Sequence, residues 1–135
     1  MTSKNDYSSK ILSISCDAAQ PGNKEKWWNE FLDGTQRSKD EYVAAMNWFY
    51  SSDPVKLREQ YSDKFYSCID TIFSTKHRDY AEVFMANLKP INLARKSDIE
   101  KLEKIYSATH EDRTHFRKMT KIAIEDMEDI QAKIL

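Results

Sequence analysis

The sequence predicts an all-α fold: about seven helices in stacked antiparallel pairs, a segment of a HEAT/armadillo-like α-solenoid. Three observations carry this expectation. Breakers are scarce, with 2 glycines and 3 prolines in 135 residues, while 32% of residues are charged. Such a composition suits long helices and short turns rather than sheet or disorder. Apolar residues step by three or four over long stretches, and turn signals separate those stretches. No strict repeat of fixed length is present, so any repeat is architectural. The length reads as one helical domain over residues 1–135, with 1–9 a flexible leader, and a domain of this size buries roughly two-thirds of its unfolded surface.

The first helix is expected over Tyr7 to Ala19, with Ile11, Ile14 or Ser15, and Ala18 on one face. Gln20-Pro21-Gly22-Asn23 breaks it. A second helix from Lys24 to Leu32 shows Trp27 and Phe31, and Gly34 fits the left-handed position after its end. Ser38-Lys39-Asp40-Glu41 has capping-box spacing and opens a third helix carrying Tyr42, Ala45 or Met46, and Phe49, which ends at Ser51-Ser52.

The longest stretch follows. Asp53 is a good N-cap and Pro54 suits the first helical position. Leu57, Tyr61, Phe65, Cys68 or Ile69, and Ile72 then form one helical face. Thr75-Lys76-His77 breaks the chain, and a fifth helix with Tyr80, Val83 or Phe84, and Leu88 stops at Pro90. Ser97-Asp98-Ile99-Glu100 repeats the capping-box spacing before a helix with Ile99, Leu102 and Tyr106. The last helix is expected from about His110 to Ile134, striped by Phe116, Met119, Ala123, Met127, Ile130 and Ile134, with Ile122 and Ile124 off its centre.

A formal charge of -1 gives no electrostatic footprint for nucleic acid or an anionic membrane. No apolar run reaches membrane-spanning length, and the polar start, Met1 to Lys10, does not read as a secretory signal. Cys16 and Cys68 read as small buried hydrophobes, which leans towards a reducing, cytoplasmic setting.

The residues suggest no catalytic, cofactor-binding or metal site. His110 and His115 flank Glu111-Asp112-Arg113-Thr114, but a zinc helix needs histidines at i and i+4. At i+5 they stand about 140° apart on a regular helix. The default is a solvated first turn, with Glu111 and Asp112 near the helix N-terminus. His77 reads as a turn residue, and no cysteine lies near a histidine in sequence. Glu125-Asp126-Met127-Glu128-Asp129 reads as a solvated helix face. Trp27, Trp28, Phe31, Trp48, Phe49 and Tyr50 are mostly core, with Trp28 or Trp48 able to mark an exposed patch for a partner.

Three segments nevertheless resemble the C-terminal helical domain of zinc aminopeptidases of the aminopeptidase N family, the puromycin-sensitive branch in particular. They are Lys24-Glu25-Lys26-Trp27-Trp28, then Leu57 through Tyr66 (similar to L-x-x-P-Y-x-x-K-[FY]-F), and Asn87-Leu88-Lys89-Pro90. The resemblance covers about residues 10–135. It implies a curved stack of helix pairs that caps a catalytic domain over bound peptide. Gln60 departs from the proline frequent in that family, and neither the H-E-x-x-H zinc motif nor the G-A-M-E-N-type motif is present. The resemblance therefore implies a non-catalytic cap, with zinc expected only on a separate catalytic domain, and a catalytic domain, peptide or protein as partner. The alternative is a stand-alone helical scaffold or assembly subunit that binds a protein partner.

Overall fold

The computed structural model describes residues 4–90 and 95–134. They form α1 (Lys4–Ala19), a single 3-10 turn (Pro21–Asn23), α2 (Lys24–Asp33), α3 (Lys39–Phe49), α4 (Pro54–Thr75), α5 (Arg78–Leu88), α6 (Lys96–Ala108) and α7 (Thr114–Ile134). The fold is all-α, with no strand among the described residues. The chain divides into two compact units: residues 1–54 with 78–88, and residues 55–77 with 89–135. The all-α fold is the one the sequence predicts.

In the first unit α1, α2, α3 and α5 surround an aromatic core. Trp27, Phe31, Tyr42, Phe49 and Phe84 are essentially inaccessible. Phe31 meets Phe49 edge-on at 5.5 Å between centroids, and Tyr42 meets Tyr80 at 5.4 Å. Edge contacts of this kind add to the stabilisation from burial alone. Contacts near the helix ends fix helix direction. Lys24 at the start of α2 donates to Phe49 O at the end of α3, while Phe31 near the end of α2 packs on Tyr42 near the start of α3. The two helices are therefore antiparallel. Tyr42 meets Tyr80 near the start of α5, and Tyr50 Oη donates to Leu88 O at its end at 2.8 Å, so α3 and α5 run parallel.

Local signals explain the ends. Gly34 has φ 70° and donates its N–H to Glu30 O at 2.9 Å. An added Cβ there would lie 3.1 Å from the Tyr80 ring, so both the turn and the packing select glycine. Ser38 Oγ accepts the Glu41 N–H at 3.3 Å, as capping-box spacing predicts, and Glu41 itself pairs with Lys10 at 3.2 Å. Helix α1 begins at Lys4, earlier than expected, so much of the expected leader is helical. Of the expected face, Ile14, Ser15 and Ala18 are buried, and Ile11 is half-buried.

In the second unit α4, α6 and α7 share a core of Phe65, Ile69, Leu102, Ala123 and Met127. Ile72 and Phe116 are also buried. Arg117 at the start of α7 donates to Thr109 O, after the end of α6, at 2.9 Å. A cleft near the other end brings Lys96 and Ile99 of α6 beside Gln131 and Ala132 of α7, so the pair is antiparallel.

Two helix starts differ from expectation. Helix α6 is capped two residues earlier than Ser97: Arg95 holds the N-cap position, and its backbone N–H donates to Asp98 Oδ2 at 3.2 Å. The fully buried Asp98 also takes the Arg95 guanidinium at 2.8 Å and the Tyr66 hydroxyl at 3.1 Å. An acid at N3 can close on whichever residue stands three before it, and a spare serine inside the turn is not needed. Helix α7 starts at Thr114, so His110, Glu111 and Asp112 lie in a turn rather than in the first helical turn. His110 Nδ1 accepts the Asp112 N–H at 3.1 Å, which holds that turn.

On α7, Phe116, Ala123 and Met127 are buried, Met119 and Ile130 half-buried, and the side chain of Ile134 lies outside the described residues. Ile124 is buried and Ile122 is exposed.

Candidate functional site

Two places in the first unit concentrate unusual chemistry. The first is Lys24, the opening residue of α2, only 5% exposed. Its Nζ donates to Ala18 O at 2.6 Å and also to Phe49 O, the last turns of α1 and α3. It lies 5.0 Å from the Phe49 ring centroid. Final-turn carbonyls lack intrahelical donors and carry the negative end of the helix dipole, so one ammonium satisfies two helices. Burial lowers its pKa to about 8. Asp17 joins the same end of α1 to α2, accepting from Lys26 at 2.7 Å and from Trp27 Nε1 at 2.8 Å. The Lys26 ammonium, then the Trp27 N–H, hold the Asp17 carboxyl below its usual range. These groups are consumed by each other, and the arrangement ties helix ends together.

The second place is an open cleft of about 320 Å³ between α1 and α3, lined by Tyr7, Ser8, Ile11, Leu12, Ser15, Asp40 and Trp48. It is bounded at one end by Tyr7 Oη, which donates to Asp40 Oδ2 at 2.5 Å. Three of its residues are large apolar side chains turned to solvent: Leu12 is 65% exposed, Trp48 52% and Tyr7 47%. Each is off the buried stripe of its helix. On α1 the stripe is Ile14, Ser15 and Ala18, and Leu12 falls beside it; on α3 it is Tyr42, Ala45, Met46 and Phe49, and Trp48 points away. Of the two tryptophans singled out in the sequence, Trp28 is core at 4% exposed and Trp48 is the surface residue. Leu12 escaped sequence reasoning, although its signal was present as one bulky apolar residue out of register.

His77 is exposed in the α4–α5 turn, and His110 is exposed before α7. Among the described residues no group of three or more histidine, cysteine or acidic side chains converges as a metal site would require. Cys16 and Cys68 are both free thiols. Cys16 is exposed, against the expectation of burial, because it lies off the Ile14–Ala18 face. Cys68 is half-buried, and burial pushes its thiol up to about 11. Such a thiol is a poor nucleophile at neutral pH. Glu125, Glu128 and Asp129 are exposed on α7, and Asp126 pairs with Lys89 at 3.2 Å. No helix among the described residues is long and apolar enough to cross a membrane.

No protein-family description, curated protein or solved structure matches the chain.

Proposed function

We propose that this chain is a non-catalytic helical module that works by docking a protein partner, and that the α1/α3 cleft is its docking surface. The observation that supports this most directly is the grouping of Leu12, Trp48 and Tyr7 around one open cleft. Scattered exposed hydrophobes are ordinary, but a contiguous patch with an aromatic anchor is the usual mark of a binding face. A photoreactive phenylalanine analogue replacing Trp48 tests the reading in the source cells. A covalent adduct with a polypeptide is expected, and an adduct-free chain after irradiation refutes it.

A narrower reading is supported by the resemblance of Lys24–Trp28, Leu57–Tyr66 and Asn87–Pro90 to the cap of zinc aminopeptidases. The partner is then a zinc-bearing catalytic domain, joined to this module or separate from it. Adding the chain to such a catalytic domain should raise turnover of an aminoacyl substrate. Unchanged turnover removes the narrower reading and leaves the broader one standing. Stoichiometric zinc together with peptidase activity in this chain alone overturns both.

A further inference from the structure

We infer that the occupant of the α1/α3 cleft is a short amphipathic helix of a partner protein, bearing bulky apolar residues on one face and a basic residue that meets Asp40. This rests on the docking reading above. It is carried by the size of the patch, the length of the cleft and its charge.

The size argues against a second copy of the chain. An aromatic side chain carries about 150–250 Å², so the exposed portions of Trp48, Tyr7 and Leu12 amount to roughly 350 Å². A stable dimer needs about 800 Å² from each partner. The patch is too small for that, yet it matches the few anchors through which a single helix binds a groove. The length agrees. The α1 residues lining the cleft run from Tyr7 to Ser15. At 1.5 Å per residue they span about 12 Å, or two turns of a bound helix. A volume of about 320 Å³ accommodates a few inserted side chains rather than a large ligand.

The charge sets the orientation and chemistry. Asp40 is the single charged residue among the described residues that line the cleft, and it is exposed. Its Oδ2 takes the Tyr7 hydroxyl, and no cation is paired with it among the described residues. A lysine or arginine on the occupant would complete it, at the end of the cleft where α3 begins. An anionic lipid surface would be repelled by the same carboxylate.

The test is a selection from a displayed library of fourteen-residue peptides, followed by titration of the selected sequences against the intact chain. Expected are sequences with apolar residues at i, i+3 or i+4, and i+7, a flanking lysine or arginine, and helical circular dichroism on binding. Trp48→Ala should weaken them about 30-fold, the scale of an interface anchor. Asp40→Asn should weaken them severalfold and flatten their salt dependence. Trp48 is half-exposed, and Asp40→Asn keeps a side-chain oxygen that can accept the Tyr7 hydroxyl, so both variants should stay folded, as circular dichroism and a melting curve check.

Enrichment of extended, proline-rich or acidic peptides overturns the inference, as does no enrichment at all. Light scattering that shows a dimer abolished by Trp48→Ala overturns it in favour of self-association. Vesicle binding by the chain, lost in the same variant, overturns it in favour of a lipid surface. In each of these cases the photo-adduct at Trp48 decides separately whether a polypeptide docks there.

Discussion

Lys24 makes a prediction that separates two contributions to stability. Its ammonium is buried and its pKa is lowered from 10.5 to about 8. In the unfolded chain it keeps its proton up to about pH 10. Between pH 8 and 10.5 the unfolded state therefore binds one more proton than the folded state. By linkage, stability contributed by this group rises with pH across that window, at roughly 1 kcal/mol per unit and about 3 kcal/mol in all.

Groups with raised pKa values act with the opposite sign, Cys68 and Tyr80 foremost among them. Burial raises the Cys68 thiol from 9.0 to about 11, so its contribution is present below pH 9 and fades as pH climbs to 11. Burial likewise raises the Tyr80 phenol above 10.0, so its contribution is lost above that pH. The clean interval is pH 8 to 9. The assay is urea unfolding of the wild type and of Lys24→Met, which keeps an unbranched side chain of similar length. The difference between their unfolding free energies should grow in favour of the wild type by roughly 1 kcal/mol from pH 8 to 9. Parallel curves would refute the placement of a desolvated ammonium between the two helix ends.

Other substitutions probe the two cores and the turn between α2 and α3. Phe65→Ala removes a fully buried ring and should cost roughly 3–5 kcal/mol in a denaturant melt; a loss below about half a kcal/mol would contradict its placement. Gly34→Ala forces a side chain into a left-handed turn against Tyr80 and should cost about 1–2 kcal/mol, seen as a lower midpoint with an unchanged slope. Thr120 is fully buried, and its hydroxyl has no hydrogen-bond partner among the described residues. Thr120→Val should therefore be neutral or raise stability by up to about 1 kcal/mol, and a loss larger than that would reveal a partner for the hydroxyl.

Helix positions were legible because local rules act within a few residues. The Ser38 cap and the Gly34 backbone turn are closed by near neighbours in sequence, and the Leu57–Tyr61–Phe65–Ile69–Ile72 face is set by the helical period alone, whichever elements bury it. The failures fall where several local solutions compete. Ser97 and Arg95 both stand where α6 could begin, and the buried Asp98 decides through Tyr66, which lies 32 residues earlier. Cys16 is a core residue by type, but its register on α1 turns it outward. The candidate surface was half legible. Trp48 was visible as one of two candidates, but no periodicity in α1 or α3 alone tells that Leu12 stands beside it. That proximity follows from the packing of α1 on α3, which Lys10–Glu41 and Tyr7–Asp40 also bridge.

The first unit is discontinuous along the chain: residues 1–54 are joined by 78–88. Tyr80 and Phe84 complete a core begun by Trp28, Phe31 and Tyr42. During synthesis, α1 to α3 therefore emerge with one side of that core uncovered, and they stay so until all of α4 and α5 have left the ribosome. At about 5–20 residues per second that interval lasts a few seconds, long compared with the microseconds in which each helix forms. Nascent chains halted before residue 78 emerges should thus be sensitive to protease, and those long enough for residue 88 to clear the ribosome should gain protection over α1 to α3.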